Sequence, residues 1–170
     1  WEMRPWREAT GDIGGTIMFT EVITERKRAE KELKLFRALL DQVMDSIEVI
    51  DPASGRFLDG NRQSYESIGY TRGELSRLTV PDIDPLVTQP VFQEHMRNLR
   101  EADVPLRIES QHLRKDGTTF PVEVSAQLLY HDREYLVAIV RDITVRKQTE
   151  RCLTLQHEVA NVLARASGLD

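Results

Sequence analysis

One stretch of this chain occurs twice, and the distance between the copies limits the architecture. Val22-Ile-Thr-Glu-Arg-Lys-Arg-Ala-Glu-Lys-Glu-Leu33 aligns at an offset of 120 residues with Asp142-Ile-Thr-Val-Arg-Lys-Gln-Thr-Glu-Arg-Cys-Leu153. Upstream of each copy, Gly15 to Thr20 (GTIMFT) and Tyr135 to Val140 (YLVAIV) both read as strands, and Trp1-Glu-Met3 corresponds to Val122-Glu-Val124 after one gap. A repeat of this length is a domain plus its connecting helix, too long for a solenoid unit. Residues 1–25 therefore read as the closing hairpin of a domain cut off upstream, with its turn at Thr10-Gly-Asp-Ile-Gly-Gly15 and Trp1, Met3, Ile17 and Phe19 in its strands.

A helix is expected after each copy. Over 26–45, Ala29, Leu33, Phe36, Leu40 and Val43 alternate steps of four and three, the spacing of a coiled-coil seam, while Glu25, Arg26, Lys27, Arg28, Glu30, Lys31 and Glu32 form a solvated face. Over 148–170, Leu155, Val159, Val162 and Ala166 repeat the spacing. Such helices can pair with a second copy of the chain or pack only on their own domain, and a homodimer through the linkers is the leading expectation.

Between the linkers, residues 46–147 hold one domain. Ser46 to Asp51 and Arg56 to Asp59 read as strands around the turn Pro52-Ala-Ser-Gly55. Short helices follow at Gln63 to Ile68 and at Thr71 to Leu78, where Thr71 and Glu74 fit a capping box. Pro81-Asp-Ile-Asp-Pro85 breaks the chain before a helix over Thr88 to Glu101, whose Val91, Phe92, His95, Met96 and Leu99 share one face. Three strands close the unit: Leu106 to Leu113, a strictly alternating Phe120 to Leu128, and Tyr135 to Val140, apolar at every position and so expected to be covered on both sides. The fold class is α+β.

Composition removes several functions. The 23 basic and 28 acidic residues leave a formal charge of −5 with the signs interleaved, which is not the footprint of a nucleic-acid binder. No apolar run approaches the roughly 20 residues of a membrane-spanning helix, so no membrane contact is expected of this stretch. The lone cysteine, Cys152, excludes an internal disulfide and fits a reducing cytoplasm.

The strand and helix order, together with three motifs, resembles the PAS family. The motifs are Gly60-Asn61 leading to Ser67-Ile-Gly-Tyr-Thr-Arg-Gly-Glu-Leu75, His112-Leu-Arg-Lys-Asp-Gly117 followed by Phe120-Pro-Val-Glu-Val124, and Arg141-Asp-Ile-Thr144. The resemblance implies a five-stranded antiparallel sheet with short helices over one face, around a small cavity. It implies that Asp142, Ile143 and Thr144 relay sheet movement into the following helix, and that Glu74 pairs with Lys115. Leu155 to Ala166 is similar to the entry helix of GAF domains, so the parent is expected to carry an upstream PAS copy and a downstream GAF or kinase domain.

The expected cavity residues are Val49, Tyr65, Ile68, Phe92, His95, Met96, Ile108, Val122, Val124, Val137 and Ile139. No cofactor is the leading expectation, with haem on His95 or a non-covalent flavin as the alternatives; Cys152 lies too late in the chain for a flavin-cysteinyl photosensor. No metal site is expected: His157-Glu158 lacks a second histidine at position 161, which is Asn161, and Asp82 and Asp84 between Pro81 and Pro85 read as a structural turn. His157 also lacks the Arg-x-Pro continuation of a phosphoacceptor. No catalytic residue is assigned. The expected function is a sensory module that binds a small ligand or partner and relays a signal to an effector, a sensor histidine kinase first and a diguanylate cyclase second. The alternative is a ligand-free spacer that only dimerises.

Overall fold

In the computed structural model, the described residues are 2–19, 24–102 and 104–167. Trp1, the Val22 and Ile23 that begin the repeat, and the end of the output linker beyond residue 167 lie outside them. The chain divides into two compact units, Trp1–Ala38 and Leu39–Asp170.

In the first unit, β1 (Glu2–Arg7) and β2 (Ile13–Phe19) pair antiparallel from Glu2 opposite Phe19 to Arg7 opposite Ile13, with a bulge at Trp6/Arg7. Gly11 supplies the left-handed residue the turn requires, at φ 90°, and Arg7 Nη1 donates to its carbonyl at 2.8 Å. Helix α1 (Thr24–Leu40) is held by pairs four residues apart, Arg28 with Glu32 and Lys34 with Glu30, and none of its residues is buried. It stops at Leu40, short of the expected end at residue 45. The amides of Gln42 and Val43 donate back to the Leu39 and Leu40 carbonyls as a turn, so Val43 is not on the helical seam. The cause is competition: Asn61 Nδ2 takes the Leu40 carbonyl and the Asp41 carboxylate takes the Arg62 amide.

The second unit runs β3 (Ser46–Ile50), β4 (Phe57–Gly60), α2 (Arg62–Glu66), α3 (Arg72–Leu75), α4 (Val80–Ile83), α5 (Gln89–Ala102), β5 (Leu106–Leu113), β6 (Thr119–Tyr130), β7 (Glu134–Asp142) and α6 (Thr144–Ser167). The strands form one antiparallel sheet in the order β4-β3-β7-β6-β5. Its inner face carries Ile50, Leu136, Ala138, Val140, Val122 and Ala126, and helices α2 to α5 with their connections lay Ile68, Leu75, Ile83, Phe92, Met96 and Leu99 against it. Phe92, Met96 and Leu99 repeat at helical spacing along α5, which is why this helix buries one face.

Two expectations are corrected. The Pro81 to Pro85 segment does not simply break the chain: Val80–Ile83 forms a turn of helix, with Pro81 in the first turn where a missing N–H costs nothing. The Thr79 amide and hydroxyl both donate to Asp82 Oδ2 at 2.7 Å, capping it. Strand β7 is covered on one side only. Leu136, Ala138 and Val140 are buried, whereas Val137 is half-buried and Ile139 is 47% exposed, because among the described residues of this unit helices α2 to α5 pack on the first face alone.

Candidate functional site

A cavity of about 50 Å³ lies between the sheet and helices α4 and α5. Sheet register explains the space: Glu48 stands opposite Ala138, Ala138 opposite Ala126, and Ala126 opposite Leu106, so two alanines occupy the centre of one inner row. Larger side chains wall it, among them Ile50, Phe57, Phe92, Met96 and Leu136.

Of the expected lining residues, Phe92, His95, Met96, Ile108 and Val124 reach this cavity, His95 being half-buried. Val49, Val137 and Ile139 do not. Val49 pairs with Val137 and Ile47 with Ile139 on the opposite face, because β3 turns Ser46, Glu48 and Ile50 inward. Ile68 and Val122 are fully buried in the core outside the cavity lining, and Tyr65 packs half-buried against that core. At this volume the space is far below the roughly 300 to 1,000 Å³ of pockets for sizeable organic ligands. Haem and flavin, the cofactor alternatives, do not fit the cavity in this conformation.

Three polar residues that sequence reasoning missed do line it: Glu48, Asp84 and His112, at 3%, 3% and 6% exposure. Burial, reinforced by the neighbouring Asp84 charge, pushes the Glu48 carboxyl up to about 8. Burial likewise pushes the His112 imidazole down to about 4, against the pull of Asp84. Asp84 Oδ1 accepts the Leu86 amide at 3.0 Å, and the His112 ring stands edge-on to Phe120.

A second set of contacts joins the helical layer and α6 to the sheet. Lys115 Nζ donates to Glu74 Oε1 at 2.7 Å, while the Thr71 amide and hydroxyl donate to Glu74 Oε2 in the capping box of α3. The Lys115 bond first, and those from Thr71 next, hold the Glu74 carboxyl down to about 2. Beside it, the Lys115 amide donates to the Ile68 carbonyl at 2.9 Å and Arg114 Nε to the Ser67 carbonyl at 3.0 Å, a docking that places Gly69 at φ 77°.

At the far end of β7, Asp142 Oδ1 accepts the Thr144 amide at 2.7 Å, satisfying a free donor where α6 begins. The intervening Ile143 is buried, and its amide donates to the Pro121 carbonyl of β6 at 3.1 Å. Arg146 then reaches Glu109 at 2.8 Å and Glu123 at 3.7 Å, and Lys147 reaches Glu109 at 2.5 Å. Glu109 and Glu123 are cross-strand partners facing away from the cavity. Asn61, buried at the start of α2, is the opposite anchor: its Nδ2 donates to the Leu40 and Asp45 carbonyls, and its Oδ1 accepts the Ile47 and Ser64 amides.

Cys152 and His157 are exposed on α6, where Leu155, Val159 and Leu163 also stand in solvent. Among the described residues no group of three or more His, Cys, Asp or Glu is placed to hold a metal ion, and no helix is long and apolar enough to cross a membrane.

Comparison with known proteins agrees with this geometry. A family model described as PAS domain matches residues 44–145. The chain is 28% identical over 116 residues to the methyl sulfide methyltransferase-associated sensor of Methanosarcina acetivorans, covering 68% of this chain and 12% of that protein. It is 25% identical over 124 residues to the sensor histidine kinase TmoS of Ectopseudomonas mendocina, covering 70% and 13%. The chain thus spans about an eighth of the length of these relatives. Among solved structures, the PAS domain of an HTR-like protein from Haloarcula marismortui superposes with a TM-score of 0.65 at 25% identity, over 70% of this chain and 98% of that one. A domain of a sensory box sensor histidine kinase/response regulator from Geobacter sulfurreducens does so at 0.56 and 29% identity, over 67% and 96%. With its sheet, its helical layer and well over half its length matched, this chain belongs to the PAS domain family.

Proposed function

We propose that this chain is a non-catalytic sensory module that couples the state of its cavity to the position of α6, and through α6 to an effector elsewhere in a longer, cytoplasmic protein. The observation that carries this reading is the junction after β7. A single buried residue, Ile143, separates the strand from the helix, and Asp142, Pro121, Glu109 and Glu123 fasten the first turns of α6 to the sheet. A change of sheet curvature has no slack segment in which to dissipate. The exposed apolar residues of α6, Leu155, Val159 and Leu163, and those of α1, Leu33 and Phe36, support pairing with a second copy, since apolar stripes on solvated helices are stable when partnered.

The effector is a histidine kinase in this reading, supported by the likeness to TmoS, with a diguanylate cyclase or a GAF-linked receptor as other settings for the same relay. The size of the cavity, about 50 Å³, favours a second reading, a ligand-free spacer that sets the register of its neighbours. A chimera separates relay from spacer. Placed in TmoS in place of the matching PAS segment, the chain should support autophosphorylation whose level changes with Asp142→Ala. An unchanged level would contradict the relay.

A further inference from the structure

Within its chiefly apolar lining the cavity holds three buried ionisable groups that the sequence does not predict. Glu48 points inward from β3, Asp84 follows α4, and His112 points inward from β5, all three being more than nine-tenths buried. Among the described residues, no hydrogen bond within the protein engages the Glu48 carboxyl or the His112 imidazole, and Asp84 uses only one oxygen, on the Leu86 amide. No polar side-chain atom among the described residues is sealed off without a partner, so the free atoms of Glu48 and His112 border the open space. Burying such groups without partners costs stability, so folds retain them where something else satisfies them. Here they border a space that Ala126 and Ala138 leave open beside Glu48.

We propose that this cavity binds a small organic cation, a short primary alkylammonium, with Glu48, Asp84 and His112 accepting its N–H groups and Phe92, Met96 and Leu136 enclosing its alkyl body. This names the ligand class for the sensory reading above and rests on it. An ammonium group carries three donors, and the site offers three acceptors of matching kind: two carboxyls and the free nitrogen of a neutral imidazole. An anion meets two carboxyls and no lysine or arginine, since the four ionisable groups lining the space are Glu48 of β3, Asp84 after α4, His95 of α5 and His112 of β5. A metal ion finds no ligand group among the described residues. The volume sets the size: a cavity of about 150 Å³ takes benzene, so about 50 Å³ takes a few heavy atoms.

Occupation by a cation also reverses the effect of burial on Glu48. The bound charge favours the carboxylate, so binding at pH 7 releases a proton from Glu48 and tightens as pH rises towards 9. His112 does not mimic this, because it is already neutral well below that range.

The test is an NMR titration of the full chain with methylammonium chloride, methanol and sodium formate, followed at the amides of Glu48, Asp84 and His112. The expected result is saturable shifts with methylammonium alone, weakened about tenfold or more in Glu48→Gln, Asp84→Asn and Ala126→Leu. Calorimetry in buffers of different ionisation enthalpy should show the released proton. The probe comparison uses unaltered protein, so it does not depend on any variant folding. Equal or stronger binding of methanol or formate would overturn the cation class while leaving a ligand-sensing cavity. No saturable shift with any probe would overturn the inference and leave the relay to be judged by the TmoS chimera, which needs no ligand.

Discussion

Arg146 of α6 and Glu109 of β5 are joined at 2.8 Å, with Lys147 on the second oxygen of the same carboxylate. The pair fixes the azimuth of the output helix relative to the sheet, and both partners are about half exposed, so its value lies in placement and not in global stability. Replacing Glu109 by Gln should leave the melting temperature nearly unchanged yet raise amide exchange over residues 144–151. Hydrogen exchange read by mass spectrometry checks this; unaltered protection there would mean that the ion pairs do not hold the helix.

Glu48 should make stability fall with rising pH. Its folded-state pKa, about 8, lies above the unfolded value of 4.5, so between these the native state holds a proton that the unfolded chain does not, and stability is lost as pH rises. His112 acts oppositely: with a folded value near 4 against 6.5, it favours the native state as pH rises from 4 to 6.5. The two offset one another between about pH 4.5 and 6.5. From pH 6.5 to 8 the Glu48 contribution stands alone and should remove on the order of 1–2 kcal/mol. Urea unfolding across this range should show the decline in the wild type and a flat profile in Glu48→Gln.

Asn61 ties the end of α1, the start of β3 and the start of α2 through four side-chain hydrogen bonds. Asn61→Ala leaves the Ile47 amide and the Leu40 and Asp45 carbonyls without that partner, which should cost about 2–4 kcal/mol. Asn61→Asp should do no better, since a carboxylate cannot donate to the two carbonyls. Equilibrium denaturation measures both.

Much of the fold was legible because its signals were local or periodic. The Thr71–Glu74 box, the α5 stripe and the turn at Lys115-Asp-Gly117 each follow from residue spacing alone. The cavity was harder to read. In β3, Val49 reads as a cavity residue, yet the strand turns Ser46, Glu48 and Ile50 inward, a choice made by pairing with β7 that no residue of β3 announces. Val49 and its β7 partner Val137 therefore face away from the cavity, as does Ile139 opposite Ile47. The burial of His112 had a signal: it shares its side of β5 with Leu106, Ile108 and Ser110 by simple alternation. The apolar run in β7 misled about cover, since a run records hydrophobicity on both faces without saying what lies over each.

Cys152 stands on the same face of α6 as Leu155, Val159 and Leu163. If that face is the contact between two copies, mild oxidation should give a disulfide-linked dimer on non-reducing gels, and Leu155→Glu with Val159→Glu should abolish it. Crosslinking that persists in the double variant would place the contact elsewhere.

The most direct test of coupling between cavity and helix is a pulsed electron resonance distance between the two copies. A nitroxide at Arg151→Cys in a Cys152→Ser background would report the separation of the paired α6 helices, with and without Ala126→Leu to fill the cavity. The relay predicts a defined interchain distance that shifts when the cavity is filled and no longer shifts once Asp142→Ala is added. Identical distributions with and without Ala126→Leu, or no interchain distance, would contradict it.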